Sequence, residues 1–228
     1  MKRIDIKGAI IPNDYKWYYD YLEMDSTTPK DVYNLLGTAS NEPLEVYINS
    51  PGGVIDVGSE IYTMLRAHQG NVNMYIVGEA CSAASIIAMA RHCEMAPTAL
   101  MMVHCVSTGA QGNHSDFEKT AEVLRTADDA LANAYVIKSG MSKEEALLMM
   151  EKETWLTADQ AFEKGLIDGI MFEEKNVMNQ QFVAGNFTLP SQEKMDQIKK
   201  MINEQDTKQE GDAAFLMSKI KNLRLKER

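Results

Sequence analysis

Gly78-Glu79-Ala80-Cys81-Ser82-Ala83-Ala84-Ser85 joins two apolar runs, an extended one at residues 72–77 and a helix-like one at residues 86–90. The pattern predicts a strand, a tight turn of small residues and the first turn of a helix. Small neighbours let another backbone approach Ser82, and a helix start offers free N–H groups that stabilise an oxyanion. The stretch is therefore typical of a hydrolase with a serine nucleophile. By itself, however, it favours a structural interpretation, a helix packed tightly against a sheet.

A second stretch predicts a sharp turn with exposed amides. In Tyr47-Ile48-Asn49-Ser50-Pro51-Gly52-Gly53-Val54 an extended run ends and a helical pattern follows. Pro51 fixes its own φ and the two glycines permit positive φ. Such a turn is either a simple connection from strand to helix or an oxyanion donor beside a groove for an extended peptide.

A lone histidine, His104, ends the apolar run Leu100-Met101-Met102-Val103. A histidine in this context is usually a structural residue. The same position also suits a general base that reaches a serine on a neighbouring element.

Together these segments resemble the proteolytic subunit of the Clp serine peptidases. The matching motifs are Tyr47 to Val54, Gly78 to Ser85, Met102-Val103-His104, Thr154-Trp155-Leu156-Thr157-Ala158-Asp159-Gln160-Ala161 and Gly165-Leu166-Ile167-Asp168. The resemblance covers about residues 1–172 and is strongest to the phage and prophage branch, the Clp-related head maturation proteases. It implies an α/β fold of repeated β-β-α units, the fold shared by Clp proteases and crotonases.

The resemblance also implies the members of an active site. They are the nucleophile Ser82, the general base His104, the oxyanion-hole donors Gly52 and Ala83, and the substrate-binding residues Gly53 and Val54. Substrate is expected to add as a strand beside residues 50–54, so that main-chain hydrogen bonds give broad sequence tolerance.

The third member of the triad has two candidates. Cellular Clp peptidases carry an aspartate two residues before an aromatic residue, which here is Trp155, so the matching residue is Glu153. The spacing from His104 needs no gap to match the family, and a glutamate can orient an imidazole as an aspartate does. The alternative acid is Asp168, in a segment typical of a helix C-cap followed by a short strand, where aspartate is commonly structural.

Composition excludes several classes of function. A net charge of −10 over 228 residues argues against nucleic acid as a partner. The three cysteines form no Cys-x-x-Cys pair, and the histidines share no ligand spacing, so neither a disulfide framework nor a metal site is expected. The N-terminal apolar run stops at Pro12, which is too early for a signal peptide or a membrane span and favours a cytoplasmic location.

No cofactor is expected, because the sequence has no glycine-rich phosphate loop. Any ATP would act through a partner, and the resemblance implies a hexameric Clp ATPase. The strand-like Ile4-Asp5-Ile6 leaves little room for the N-terminal loop that docks such an ATPase in the cellular family. The resemblance further implies a homo-oligomer, a heptamer or tetradecamer that encloses its active sites, and protein substrates that include phage capsid or scaffold proteins.

The sequence predicts that the chain has two parts, residues 1–174 and residues 175–228. The first part is expected to be the peptidase domain, because strand-like runs at 46–49, 72–77, 99–103 and 167–171 alternate with helical ones. A long helix is predicted by the stripe Phe117, Ala121, Leu124, Ala127, Leu131 and Tyr135. In Clp-like proteins such a helix belongs to the handle by which two rings meet.

Two capping boxes, which begin at Ser142 and Thr157, place Glu153 in a junction between two helices. Residues 175–228 are a polar linker with a short helix around residues 195–202, followed by a basic amphipathic helix at residues 213–228. We expect that extension to dock on the oligomer or on a partner.

Two other functions fit parts of the pattern. An acyl-CoA hydratase or isomerase shares the fold and the oxyanion hole but uses carboxylates in place of a Ser–His pair, so the combination of Ser82 and His104 counts against it. A catalytically weak or inactive assembly subunit would also keep the fold, and the glutamate at position 153 favours this alternative.

Overall fold

The computed structural model describes residues 2–37 and 41–173, together with the helical positions Asp196 and Lys200. Within that part, the strands are β1 (Lys2–Ile10), β2 (Ser26–Thr27), β3 (Leu44–Gly53), β4 (Val72–Cys81), β5 (His92–Met95), β6 (Leu100–Val103), β7 (Thr154–Leu156) and β8 (Gly169–Ile170). The α-helices there are α1 (Lys16–Tyr21), α2 (Pro29–Gly37), α3 (Ile55–Ala67), α4 (Ala83–Ala88), α5 (His114–Ser139), α6 (Lys143–Glu151) and α7 (Ala158–Glu163), and a 3-10 turn (Asn13–Tyr15) precedes α1.

The strands form one mixed sheet that is parallel except at β7. Its main order is β2-β1-β3-β4-β5-β8, and β6 pairs with β4 on one side and antiparallel with β7 on the other. β4 is long enough to pair with β5 through its first half and with β6 through its last residues. Because β3, β4 and β6 are mutually parallel, their carboxyl ends lie at one edge of the sheet. That edge carries Gly52 and Gly53, the last residues of β3, together with Ser82 and His104, which follow β4 and β6.

The main core lies on one face of this sheet. Along β1, β3 and the first half of β4, buried apolar residues alternate with exposed or half-buried ones, and Ile48 and Ile76 are fully buried at paired positions. The helix α3 buries Val57, Ile61 and Leu65, which recur every four residues along one face. The predicted α/β class is therefore confirmed.

Most of the predicted elements coincide with observed ones. The four predicted strands fall within or overlap β3, β4, β6 and β8, the long helix is α5, and both capping boxes form at the starts of α6 and α7. The strands β2, β5 and β7 were not predicted. None of the described helices is long and apolar enough to cross a membrane.

Contacts divide the chain into two units, Met1–Glu174 and Lys175–Arg228. In the second unit the structure describes Asp196 and Lys200, both exposed and helical, within the predicted short helix. The predicted linker and the amphipathic helix at residues 213–228 lie outside the described residues.

Candidate active site

Ser82 lies at the sharp junction between β4 and α4. Its backbone has φ +54° and ψ −124°, a conformation that non-glycine residues rarely adopt and that costs conformational energy. The Ser82 amide donates to the Met102 carbonyl at 2.9 Å, and the Ser85 amide donates to the Ser82 carbonyl at 2.9 Å. These bonds fix the Ser82 backbone at the end of the strand. Ser82 itself is half-buried, whereas every residue of α4 is buried.

His104 follows directly after β6 and meets Ser82. The β4–β6 register pairs Cys81 with Met102, so the residues after each strand end are neighbours. His104 Nε2 lies 2.7 Å from Ser82 Oγ, a hydrogen-bond distance at which a neutral imidazole accepts the serine proton. This is the geometry of a serine nucleophile beside its general base.

The chain after His104 is fixed by two further hydrogen bonds. The Cys105 amide donates to the Met150 carbonyl at 3.1 Å. The Val106 amide donates to Asp128 Oδ1, on α5, at 2.7 Å. The base is therefore held between its own strand and two helices.

A small, mainly apolar pocket opens beside the Ser–His pair. Its walls include Ile55, Ile86, Leu131, Tyr135 and Met150, besides the two catalytic candidates. A second, more open groove shares Ile55 and Val106 with this pocket and continues along Gly53 and Val54. The two depressions are neighbours, and Ser82 lines the first of them.

The glycine turn after Pro51 touches the nucleophile. Gly52 has φ +95°, and a Cβ at this position would lie 2.8 Å from Ser82 Cβ and 2.5 Å from the Cys81 carbonyl, so only glycine fits. The Gly52 amide donates to Ser50 Oγ at 3.1 Å, which uses the N–H that the sequence assigned to the oxyanion hole.

Two other amides remain as oxyanion donors. Gly53 is exposed, and the neighbouring contact with β1 is made by the Val54 amide, which donates to the Ile10 carbonyl. This makes Gly53 the second candidate donor of the turn. Ala83 is the first residue of α4, so its amide is among those that a helix leaves without an intrahelical partner.

Two comparisons with known proteins agree on the family. The family model for Clp protease matches residues 23–174. Two relatives, from strains BAV1 and CBDB1 of Dehalococcoides mccartyi, are named ATP-dependent Clp protease proteolytic subunit. Each is 34% identical over 139 residues, which is 60% of this chain and 70% of the relative. The chain belongs to the Clp protease family. Its fold is accordingly a Clp protease domain, and membership implies a peptidase.

Glu153, the first candidate for the triad acid, directly precedes β7, and His104 directly follows β6, the strand that pairs with β7. β6 and β7 pair Val103 with Thr154, so the next facing positions are His104 and Glu153. Glu153 is exposed, with φ +47°, and among the described residues its carboxylate makes no hydrogen bond with His104. The structure brings the two residues to facing positions without joining their side chains.

Asp168 is engaged elsewhere. Its Oδ2 accepts hydrogen bonds from the Cys93 amide at 2.7 Å and from Lys138 Nζ, whose side chain is largely buried. Burial opposes ionisation of the carboxylate, but the bonds from Lys138 and Cys93 outweigh it and lower the pKa of Asp168. These contacts tie β5 to the end of α5 and argue against Asp168 as the acid that orients His104.

Cys81 precedes the candidate nucleophile but is not poised to react. Burial, with a smaller contribution from Glu79, raises the pKa of the Cys81 thiol to about 12, so the thiol stays protonated near neutral pH. The Sγ–H group donates to Glu79 Oε2 at 3.6 Å. In the described part of the chain, no cluster of three or more histidine, cysteine or acidic side chains is arranged to hold a metal ion.

Sequence reasoning missed two residues that contact the site from α5. The first is Tyr135, whose hydroxyl contacts Ser85 Oγ, and Ser85 Oγ also donates to the Ser82 carbonyl. Asp128 caps the Val106 amide next to His104. Tyr135 was visible in the sequence as part of the apolar stripe, which predicted a buried ring without indicating what its hydroxyl bonds.

Proposed function

We propose that this chain is a serine endopeptidase in which Ser82 is the nucleophile and His104 the general base. The observation that carries the proposal is the 2.7 Å contact between His104 Nε2 and Ser82 Oγ beside a small, mainly apolar pocket. His104 takes the Ser82 proton as Oγ attacks the scissile carbonyl, and the resulting imidazolium returns that proton to the leaving amine. Water then hydrolyses the acyl-enzyme by the same base.

The oxyanion of each tetrahedral intermediate would be held by backbone amides. The candidates are Ala83, at the start of α4, and one glycine of the turn after Pro51. Because Gly52 donates to Ser50, we favour Gly53 as the partner of Ala83, with a reorientation of Gly52 as the alternative. Two such donors aimed at a developing charge contribute a large share of catalysis.

Substrate would lie extended beside the end of β3. Gly53 and Val54 line the open groove, and the pocket next to Ser82 presents mainly apolar walls. We therefore propose main-chain pairing at residues 50–54 and a preference for an apolar side chain next to the scissile bond. The small cross-section of that pocket favours aliphatic residues over tryptophan.

Glu153 would orient His104 and stabilise the imidazolium. The β6–β7 register supports this role, since it brings the two positions face to face. A change of Glu153 side-chain rotamer, or ordering of the junction by substrate or by a second subunit, would complete the contact.

Assembly and partners follow from family membership. We propose a homo-oligomer, a heptamer or tetradecamer, whose closed interior keeps a tolerant protease away from cellular proteins. The relatives are named as ATP-dependent, so a separate Clp ATPase is the proposed source of ATP-driven unfolding. Phage capsid or scaffold proteins are the proposed substrates, and the cytoplasm is the proposed location.

One observation favours a second candidate function. The exposed Glu153 carboxylate makes no hydrogen bond with His104 among the described residues, as expected for an assembly subunit with weak or no catalysis. The Ser82–His104 contact counts against this candidate and against an acyl-CoA hydratase.

A fluorophosphonate probe tests the proposal, since it reacts only with an activated serine. The full-length protein should be labelled at Ser82, as mapped by mass spectrometry, and should cleave unstructured peptides. Ser82→Ala and His104→Ala should abolish both activities, whereas the control Ser115→Ala, at a half-buried site in the first turn of α5, should keep them. A folded, assembled protein that takes no label would overturn the proposal in favour of the assembly subunit.

A further inference from the structure

A chain of buried hydroxyl groups connects the C-terminal part of α5 to the Ser82 backbone. Ser85 is completely buried and Tyr135 is 1% exposed. Ser85 Oγ lies 2.6 Å from the Ser82 carbonyl oxygen and 2.7 Å from the Tyr135 hydroxyl. Both hydroxyl groups are excluded from water, where an unpaired hydroxyl is costly.

The direction of both hydrogen bonds follows from the atoms available. The Ser82 carbonyl can only accept, so the single Ser85 hydroxyl proton is donated to it. The Tyr135 hydroxyl must then donate to Ser85 Oγ. Burial raises the pKa of the Tyr135 phenol, which keeps it a donor at every working pH.

We propose that Tyr135 is a positioning residue, which acts through Ser85 to hold the Ser82 turn in its strained, reactive conformation. The proposal rests on the proposed function, because it concerns the same nucleophile. The Tyr135 hydroxyl makes no hydrogen bond with Ser82 Oγ or His104 in the described part of the chain. It therefore acts on the backbone geometry of Ser82, through Ser85.

The local structure explains why such support matters. Ser82 has positive φ, and α4 behind it has only six residues, too few to be stable by itself. Backbone bonds from Ser85 and Ile86 to the Ser82 carbonyl, at 2.9 and 3.4 Å, are the ordinary first turn of that helix. The Ser85–Tyr135 link adds an anchor in α5, a helix of 26 residues that also packs against α6.

The ring and the hydroxyl of Tyr135 have separable roles. The ring lines the pocket beside Ser82, where it would contact substrate. Tyr135→Phe keeps the ring and removes the donor. We therefore expect kcat and the labelling rate of Ser82 to fall while KM for a small peptide stays unchanged.

The experiment compares fluorophosphonate labelling rates of the full-length wild type, Tyr135→Phe, Ser85→Ala and the double variant. We expect Tyr135→Phe to slow labelling about three- to tenfold, the scale of one buried hydrogen bond, and Ser85→Ala to slow it at least as much. If Tyr135 acts through Ser85, adding Tyr135→Phe to Ser85→Ala costs nothing further. Ser139→Ala is the matched control, because it removes a hydroxyl that bonds the Tyr135 carbonyl on the same helix, and it should label at the wild-type rate.

The outcomes separate this proposal from the proposed function. If the wild type takes no label, the proposed function is overturned. If the wild type is labelled and Tyr135→Phe is labelled at the same rate, only the positioning role is overturned. If the double variant slows labelling by the product of the two single effects, Tyr135 and Ser85 act independently, which would also contradict the positioning role. If Tyr135→Phe does not fold, the comparison uses Ser85→Cys and Ser85→Ala instead. Ser82 should be labelled faster in Ser85→Cys, whose thiol is close in size to the hydroxyl, than in Ser85→Ala. Equal labelling rates for Ser85→Ala and the wild type would overturn the proposal.

Discussion

His104 and Glu153 occupy facing positions just beyond the β6–β7 ladder, whose last pair is Val103 with Thr154. The base is already bonded to Ser82, and the carboxylate across from it is exposed. A triad acid normally accepts from the second imidazole nitrogen and fixes the tautomer that leaves Nε2 free to take the serine proton. The arrangement is therefore a Ser–His pair with the candidate acid Glu153 at the next position of the register.

Glu153→Gln should lower kcat strongly, because it removes the charge and keeps the shape. The corresponding change in a well-studied serine protease costs about 10⁴-fold, and we expect a loss of at least about 10²-fold for the more exposed Glu153. Peptide hydrolysis under saturating substrate measures the loss. Glu153→Asp is the control and should stay active, since cellular members carry aspartate there. Wild-type turnover in Glu153→Gln would remove Glu153 from the triad.

Asp168→Asn should lower stability without lowering turnover per folded molecule. It takes a charged acceptor away from the largely buried Lys138, which should cost about 1–2 kcal/mol, less than for a fully buried pair because the carboxylate is partly exposed. Urea denaturation and active-site titration measure the two effects. A collapse of kcat in the folded variant would instead make Asp168 the catalytic acid.

The stability difference between Asp168→Asn and wild type should depend on pH. The pKa of Asp168 is lower in the folded protein than in the unfolded chain, where a value of about 3.9 applies. The stabilisation is therefore complete above that unfolded value and is lost as the pH falls through the folded one. Unfolding curves should show a constant difference from pH 7 to about pH 5 and a shrinking one below about pH 4. A difference that grows on acidification would contradict this assignment.

Cys81 should be inert to alkylation in the native protein. Its pKa of about 12 leaves almost no thiolate at pH 8, and the side chain is 3% exposed. Iodoacetamide treatment at pH 8 should therefore leave Cys81 unmodified and peptide hydrolysis intact, as read by mass spectrometry and a peptide assay. Rapid modification with parallel loss of activity would favour a thiol nucleophile over Ser82.

The sequence predicted the strand ends that carry the site better than the contacts behind them. The motifs around Ser82, the paired glycines and His104 occur together in one order along the chain, and β3 and β4 are each ten residues long. By contrast, β7 has three residues in a junction between helices, too short for a pattern. The hydroxyl bond of Tyr135 and the Asp128 cap depend on how α5 packs across the site, which helical spacing does not encode.

The oxyanion role predicted for the Gly52 amide shows a second limit of prediction from sequence. Positive φ at the glycine turn was predictable from Pro-Gly-Gly, but which amide remains free depends on the Ser50 hydroxyl. Ser50 is itself fixed, because its fully buried Oγ donates to the Gly8 carbonyl at 2.6 Å. That contact joins residues 42 positions apart and is invisible to local sequence.

Gly52→Ala should nearly abolish activity by displacing the nucleophile. The new Cβ would lie 2.5 Å from the Cys81 carbonyl and 2.8 Å from Ser82 Cβ, and alanine is strained at φ +95°. We expect Ser82 labelling to fall at least about 10²-fold, the scale of a lost oxyanion contact, with a stability loss of about 1–3 kcal/mol. Labelling kinetics and thermal unfolding measure the two effects on the same samples.

The matched control is Gly109→Ala, where a Cβ would meet nothing within 4 Å and no strained φ is involved. It should label at the wild-type rate. If Gly52→Ala is folded and labels as fast as Gly109→Ala, the close approach of the glycine turn to Ser82 does not determine nucleophile geometry. The oxyanion hole would then have to be built without that turn.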